Sequence, residues 1–267
     1  MRFLFLSAVV LSLSFVKPPI RWVAIGDSIT YLNDHQDETG GRLKKGYLSR
    51  VAEQLPDVQY VNQGHNGWTS GGIARSIETL GIPPADVYTI FLGTNDWWHG
   101  DRIGTPSDNG DTTIYGAFRV IINKIRSLNK DARIILITPL PRTDFVYINN
   151  ARNNAYGSYK PKAGQTLEEV VNAIRDIGER EHFSVIDLYH DPRFAIPNLV
   201  HFKRLKDPQT GVYKDFDYPA YTNIPFDPAD AYPYPPEAMD MTFDGLHPSD
   251  KGDSVIAGEV VKTLGSR

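Results

Sequence analysis

Four short stretches of this 267-residue chain carry side chains that could do chemistry together. The first is Val23–Thr30, VAIGDSIT, where an apolar run stops at Gly26-Asp27-Ser28. The second is NQGHNGWTSGG at 62–72, the third GTND at 93–96, and the fourth DGLH at 244–247. A serine hydroxyl is a weak nucleophile at neutral pH and needs a base to take its proton. His247 can be that base, and Asp244, three residues earlier, can fix its tautomer and stabilise the imidazolium. Attack on a carbonyl leaves an oxyanion that needs donors already aimed at it. The backbone N–H of Ser28, the backbone N–H of Gly67 and the side-chain amide of Asn95 could supply three. Taken alone, each stretch reads as something plainer: a turn, a helix cap, a Gly-rich loop or a surface loop. Their joint presence, in this order, points to nucleophilic acyl transfer.

The elements around them explain how such residues could meet. Apolar runs of strand length occur at IRWVAIGD, VQYVNQG, DVYTIFLGTND, ARIILITPL and FSVIDLY. Between them, apolar residues recur at helical spacing over Leu43–Leu55, over SGGIARSIETLG closed by Gly81, from Ile114 to Leu128, from Leu167 to Ile177, and in the last helix after Pro248. Continuous apolar strands separated by amphipathic helices predict a parallel sheet covered on both faces. The expected fold is therefore a three-layer α/β/α sandwich, flavodoxin-like, with five strands ordered 2-1-3-4-5 and its site outside their carboxyl ends. All the candidate residues follow a predicted strand or precede the last helix. From about residue 190 to 241 no periodic element is legible. That Tyr/Pro-rich segment reads as an ordered insertion over one end of the sheet, within a single domain spanning 17–267.

These blocks resemble those of the SGNH hydrolases, also called the GDSL esterase/lipase family. GDSIT matches the family's first block and carries its nucleophile onto Ser28. NQGHNGWTSGG matches the second, with its glycine at Gly67 and Gly64 as the competing alignment. GTND carries the oxyanion-hole asparagine onto Asn95, and DGLH carries the acid and base onto Asp244 and His247. The resemblance covers about residues 20–264, apart from the 190–241 segment. It implies metal-free hydrolysis of esters through an acyl-enzyme, with no cofactor. The Gly-x-Ser-x-Gly elbow of the α/β-hydrolases is absent from the chain.

Composition narrows the rest. The formal net charge is −4, and Lys and Arg are scattered rather than clustered, so no nucleic-acid partner is expected. With no cysteine, disulfides, thiolate catalysis and zinc–thiolate sites are excluded. His35, His65 and His99 could face the site, but no His-x-x-x-His spacing supports a metal. Asp27 and the tryptophans Trp97 and Trp98 are candidate substrate contacts, although Asp27 reads more readily as structural, as does Asp96. The apolar run Phe3–Val16 is too short for a bilayer span of about 20 residues. It has the proportions of a secretory signal peptide over residues 1–16, which implies a secreted or periplasmic protein with no stable membrane insertion once it is removed. The partner is then a small-molecule ester or an acylated carbohydrate, favouring short acyl chains. Two alternatives stay open: a lipase, lysophospholipase or thioesterase acting on longer chains, and a non-catalytic carbohydrate-binding relative.

Overall fold

The computed structural model describes residues 18–150, 153–157, 159–225 and 234–266. Residues 1–16, read as a signal peptide, lie outside the described residues. Four apolar runs form strands β1 (Ile20–Gly26), β2 (Val58–Gly64), β3 (Val87–Phe91) and β4 (Arg133–Ile137). Two-residue strands β5 (Phe145–Val146) and β6 (Asn154–Ala155) pair with each other outside the main sheet. β7 (Ser184–Ile186) completes that sheet, whose order is β2-β1-β3-β4-β7 with every neighbour parallel. Counting only its own strands, this is the expected 2-1-3-4-5.

The helices are α1 (Ser28–Tyr31), α2 (Tyr47–Gln54), α3 (Ser70–Ser76), α4 (Thr94–His99), α5 (Ile114–Leu128), α6 (Leu167–Glu181), α7 (Ile196–Leu199) and α8 (Asp250–Gly265). Side chains alternate across a strand, and this alternation divides the core into two layers. Val23 and Ile25 of β1 join Tyr88 and Ile90 of β3 and Ile134 and Leu136 of β4 beneath α3, α5 and α6. Trp22 and Ala24, with Phe91, Ile135 and Ile137, face α2 and α8 instead.

Several elements differ from the sequence expectation. α2 begins at Tyr47 rather than Leu43, because Gly40 and Gly41 hold positive φ (59° and 76°) and Gly46 enters the helix in extended conformation. Leu43 is buried before the helix, against Leu32 and Phe243. α3 stops at Ser76, well short of Gly81. GTND is not only a strand end, since Thr94 opens α4.

The segment 190–241 does hold regular structure. It contains α7 and an antiparallel hairpin of β8 (Lys203–Lys206) with β9 (Tyr213–Phe216). Lys203 and Leu205 point inward while Arg204 and Lys206 are exposed. Alternation is present but disguised, because one inward position is a lysine. That lysine forms a buried ion pair with Asp144, and Leu205 packs with Val146 and Tyr221. Residues 226–233 of the segment lie outside the described residues.

Candidate active site

β1 delivers Ser28 to the sheet edge. Asp27 caps α1, its carboxylate accepting the Ile29 N–H at 3.0 Å. Asp27 is 1% exposed and does not line the cavity in which Ser28 lies. Burial pushes its pKa up to about 7 from an ordinary 3.8, against the lowering effects of the Ile29 N–H and of His247. A carboxyl whose folded pKa is raised stabilises the fold fully below its unfolded pKa, and that contribution is lost as pH rises through the folded value. Asp27→Asn keeps the capping oxygen and removes the buried charge. It is therefore expected to raise Tm more at pH 8 than at pH 5, by a difference on the order of a few kcal/mol in stability at the alkaline end. Thermal melts across that range check it, and a pH-independent difference would contradict it.

Ser28 meets its partners from the other end of the chain. His247 Nε2 lies 2.8 Å from Ser28 Oγ, and His247 Nδ1 lies 2.7 Å from Asp244 Oδ2. Asp244 is fully buried. Its other oxygen accepts the backbone N–H groups of Leu246 (3.1 Å) and His247 (2.7 Å), which fixes the carboxylate plane. The imidazole is held by the edge of Phe145 (centroids 5.3 Å apart, 76°) and by the face of Phe243 (5.7 Å, 19°). With Nδ1–H donated to Asp244, Nε2 is left as an acceptor for the serine proton.

The turn after β2 brings in Gly67. His65 N–H donates to Gly26 O at 2.9 Å, tying the turn to β1, and Trp68 N–H closes it onto His65 O at 3.1 Å. Gly67 has φ +77° with open space where a Cβ would be, so the left-handed backbone, rather than crowding, calls for glycine there. Gly64 differs: a Cβ would stand 2.2 Å from Tyr31 N, so this glycine lets β2 pass beneath α1. Gly67 lines the cavity with Ser28, Asn95 and His247, and Gly64 does not. Among the described residues neither the Ser28 N–H nor the Gly67 N–H has a hydrogen-bond partner.

Asn95 is placed by its neighbour. The buried Asp96 carboxylate accepts the Ser70 N–H at 2.9 and 3.1 Å and also the Ser70 hydroxyl, joining the third block to the second. Burial raises the pKa of Asp96 to about 6, against those Ser70 hydrogen bonds. Asn95 Nδ2 donates to Trp68 O at 3.0 Å, which orients the amide and leaves its second N–H for another acceptor.

Trp98 lines the cavity, while Trp97 is 1% exposed and packs in the core, its Nε1–H donating to Gln165 O at 3.0 Å. Of the other histidines considered, His99 lines the cavity, His35 stacks on Tyr31 and His65 stacks on Trp68. Among the described residues no group of three or more His, Cys, Asp or Glu side chains stands at metal-binding distance. Sequence reasoning missed the wall that Arg142, Phe145, Tyr147, Asn153, Asn154 and Ala155 add to the cavity. The signal lay in a long aperiodic stretch between β4 and α6, with an arginine and aromatics just past a strand end.

A parallel α/β/α sheet with a serine–histidine–aspartate line at its carboxyl edge defines a serine hydrolase acting on esters. The chain belongs to the GDSL-like Lipase/Acylhydrolase family, whose sequence model matches residues 24–255. A protein from Chitinophaga pinensis DSM 2588, described as a possible lipase, is 58% identical in structure-based alignment, with a TM-score of 0.90 over 92% of this chain and 97% of that one. A protein from Lactobacillus plantarum shares the fold at 21% identity and a TM-score of 0.64, covering 94% of this chain and 99% of its own. An acetyl-xylooligosaccharide esterase from Geobacillus Stearmophilus shares it at 19% identity and a TM-score of 0.55, covering 94% and 97%. A leucine–tRNA ligase from Pyrobaculum calidifontis is 33% identical over 94 residues, 29% of this chain. The chain spans 10% of the length of that curated relative. No helix among the described residues is long and apolar enough to cross a membrane.

Proposed function

We propose that this protein is a short-chain acyl esterase in which Ser28 is the nucleophile, His247 the general base and then acid, and Asp244 the group that orients and stabilises the imidazolium. The observation that carries this reading is the unbroken line Ser28–His247–Asp244, with separations of 2.8 and 2.7 Å. His247 takes the hydroxyl proton as Oγ bonds to the ester carbonyl carbon, and the carbonyl π electrons move onto oxygen. The N–H groups of Ser28 and Gly67 and the Asn95 amide receive that oxyanion. Collapse expels the alcohol, which takes the proton from His247 and leaves an acyl-Ser28 ester. Water, deprotonated by His247, repeats the sequence and releases the acid.

The cavity supports the substrate class. Its volume is about 210 Å³, below the roughly 300–1,000 Å³ of sites that enclose drug-sized ligands. Its lining mixes apolar Leu32, Phe145 and Leu246 with polar Asn66, Asn95 and Asn154. A small acyl group and a polar alcohol, such as a sugar hydroxyl, suit that mixed lining. The signal-peptide reading of residues 1–16 goes with an extracellular or periplasmic acylated carbohydrate.

Hydrolysis of 4-nitrophenyl esters from acetate to octanoate tests the reading, with kcat/KM expected to be highest on acetate and to fall with chain length. A maximum at hexanoate or octanoate would overturn it. The lipase or thioesterase reading would replace it, and the description of the Chitinophaga pinensis relative favours that reading among the alternatives. Turnover of any of these esters excludes the carbohydrate-binding alternative.

A further inference from the structure

Two charged side chains line the catalytic cavity without a task in the mechanism above: Glu38, whose carboxylate accepts the Tyr31 hydroxyl at 2.8 Å, and Arg142. Arg142 lines that cavity beside Ser28 and His247, yet it is only 3% exposed. Its position is tied to the catalytic loop, because the N–H of Thr143 donates to Gly245 O at 3.0 Å. Arginine carries five N–H donors and no acceptor. Here Nη1 donates to Thr94 Oγ1 at 3.0 Å and approaches Thr94 O at 3.5 Å. Nε is buried with no partner. Among the described residues no carboxylate forms an ion pair with Arg142, although Asp244, Asp27 and Asp144 act on it from farther away, and the rings of Trp97 and Trp98 are each centred 5.4 Å from Cζ. Desolvation pushes its pKa down to about 10, which still leaves it charged at neutral pH.

A buried, incompletely bonded guanidinium is costly, and its planar fork matches a carboxylate. A second cation stands nearby, lining a neighbouring cavity: Lys162 Nζ sits 3.8 Å from the Trp98 centroid. We propose that Arg142 is the docking point for a carboxylate on the substrate, so that the preferred ester is anionic. This rests on the assignment of Ser28 as nucleophile. The carboxylate can belong to the acyl group, as in a dicarboxylic half-ester, or to the alcohol, as in an O-acylated uronic acid. A purely structural role for Arg142, set by the nearby carboxylates of Asp244, Asp27 and Asp144, would affect neutral and anionic esters alike.

The test compares two matched pairs. 4-Nitrophenyl hydrogen succinate against 4-nitrophenyl butyrate probes the acyl side. A methyl O-acetylgalacturonoside against its uncharged methyl ester probes the alcohol side. In the native protein, kcat/KM is expected to favour the anionic member of one pair by about 10- to 100-fold, the range for a hydrogen bond to a charged group. The ratio is expected to fall toward one in Arg142→Gln and to be partly kept in Arg142→Lys. Ratios near one in both pairs, or a preference that survives Arg142→Gln, would overturn the proposal. Should Arg142→Gln fail to fold, the native protein decides: benzoate is expected to compete with 4-nitrophenyl acetate where benzamide does not, and equal inhibition by the two sinks the idea. Ser28→Ala on 4-nitrophenyl acetate is the control beneath all of this. If it is inactive and the ratios are flat, only the anion docking fails. If it turns over like the native protein, the nucleophile assignment fails and takes the docking with it.

Discussion

Ser28→Ala is expected to lower kcat on 4-nitrophenyl acetate by about 10⁴- to 10⁶-fold, the range for loss of a nucleophile from a serine triad. The size follows from what the hydroxyl supplies. Among the described residues its oxygen is the cavity atom that can bond to the acyl carbon and stands 2.8 Å from the nitrogen that must take its proton. Alanine leaves the Gly67 N–H and the Asn95 amide in place, so carbonyl polarisation survives but no acyl-enzyme can form. Stability should barely change. Ser28 is 4% exposed and its hydroxyl has one protein partner, so the deletion removes one hydrogen bond, worth about 1 kcal/mol net. Steady-state kinetics beside a thermal melt reads both outcomes. Native-like turnover would move the nucleophile elsewhere, and loss of the melting transition would make the kinetic result uninterpretable as chemistry.

Much of this site was legible because a doubly wound fold converts sequence order into spatial convergence. Apolar runs marked β1, β2 and β3, and the residue after each run necessarily lies at the same sheet edge. That placed Ser28, Gly67 and Asn95 together before any distance was known. His247 and Asp244 were readable because they share one short loop before α8. The conformation of each loop was not readable. Trp97 and Trp98 are adjacent in sequence, yet successive helical residues point about 100° apart. Once Thr94 opens a helix, one ring enters the core and the other faces the cavity. Treating GTND as a strand end with a turn concealed that division. The wall bearing Arg142 and Phe145 was hidden for a different reason. Its order comes from single long-range ties, such as Thr143 N–H to Gly245 O and the buried Asp144–Lys203 pair, and neither has a period. The same pair disguised β8, since a lysine turned inward breaks the apolar alternation by which a strand is recognised.

Asp244→Asn is the second large effect expected, a fall in kcat of about 10⁴-fold at neutral pH with the fold preserved. The geometry argues why a nearly isosteric change should cost so much. Asp244 Oδ1 accepts two backbone N–H groups, from Leu246 at 3.1 Å and His247 at 2.7 Å. In the asparagine variant that position must stay an oxygen, because an NH₂ there would face two donors. The NH₂ group is thereby forced into the Oδ2 position, 2.7 Å from His247 Nδ1. It can only donate, so Nδ1 must become the acceptor and the imidazole proton moves to Nε2. His247 then presents an N–H to Ser28 Oγ where it needs a lone pair, and the imidazolium formed during attack loses its counter-charge as well. Binding should be affected far less than turnover, because Asp244 is fully buried and is not among the residues lining the cavity. The expected signature is therefore a collapse of kcat with KM little changed, alongside a native-like melt. Equal losses through KM would indicate instead that the loop from 242 to 248 had moved.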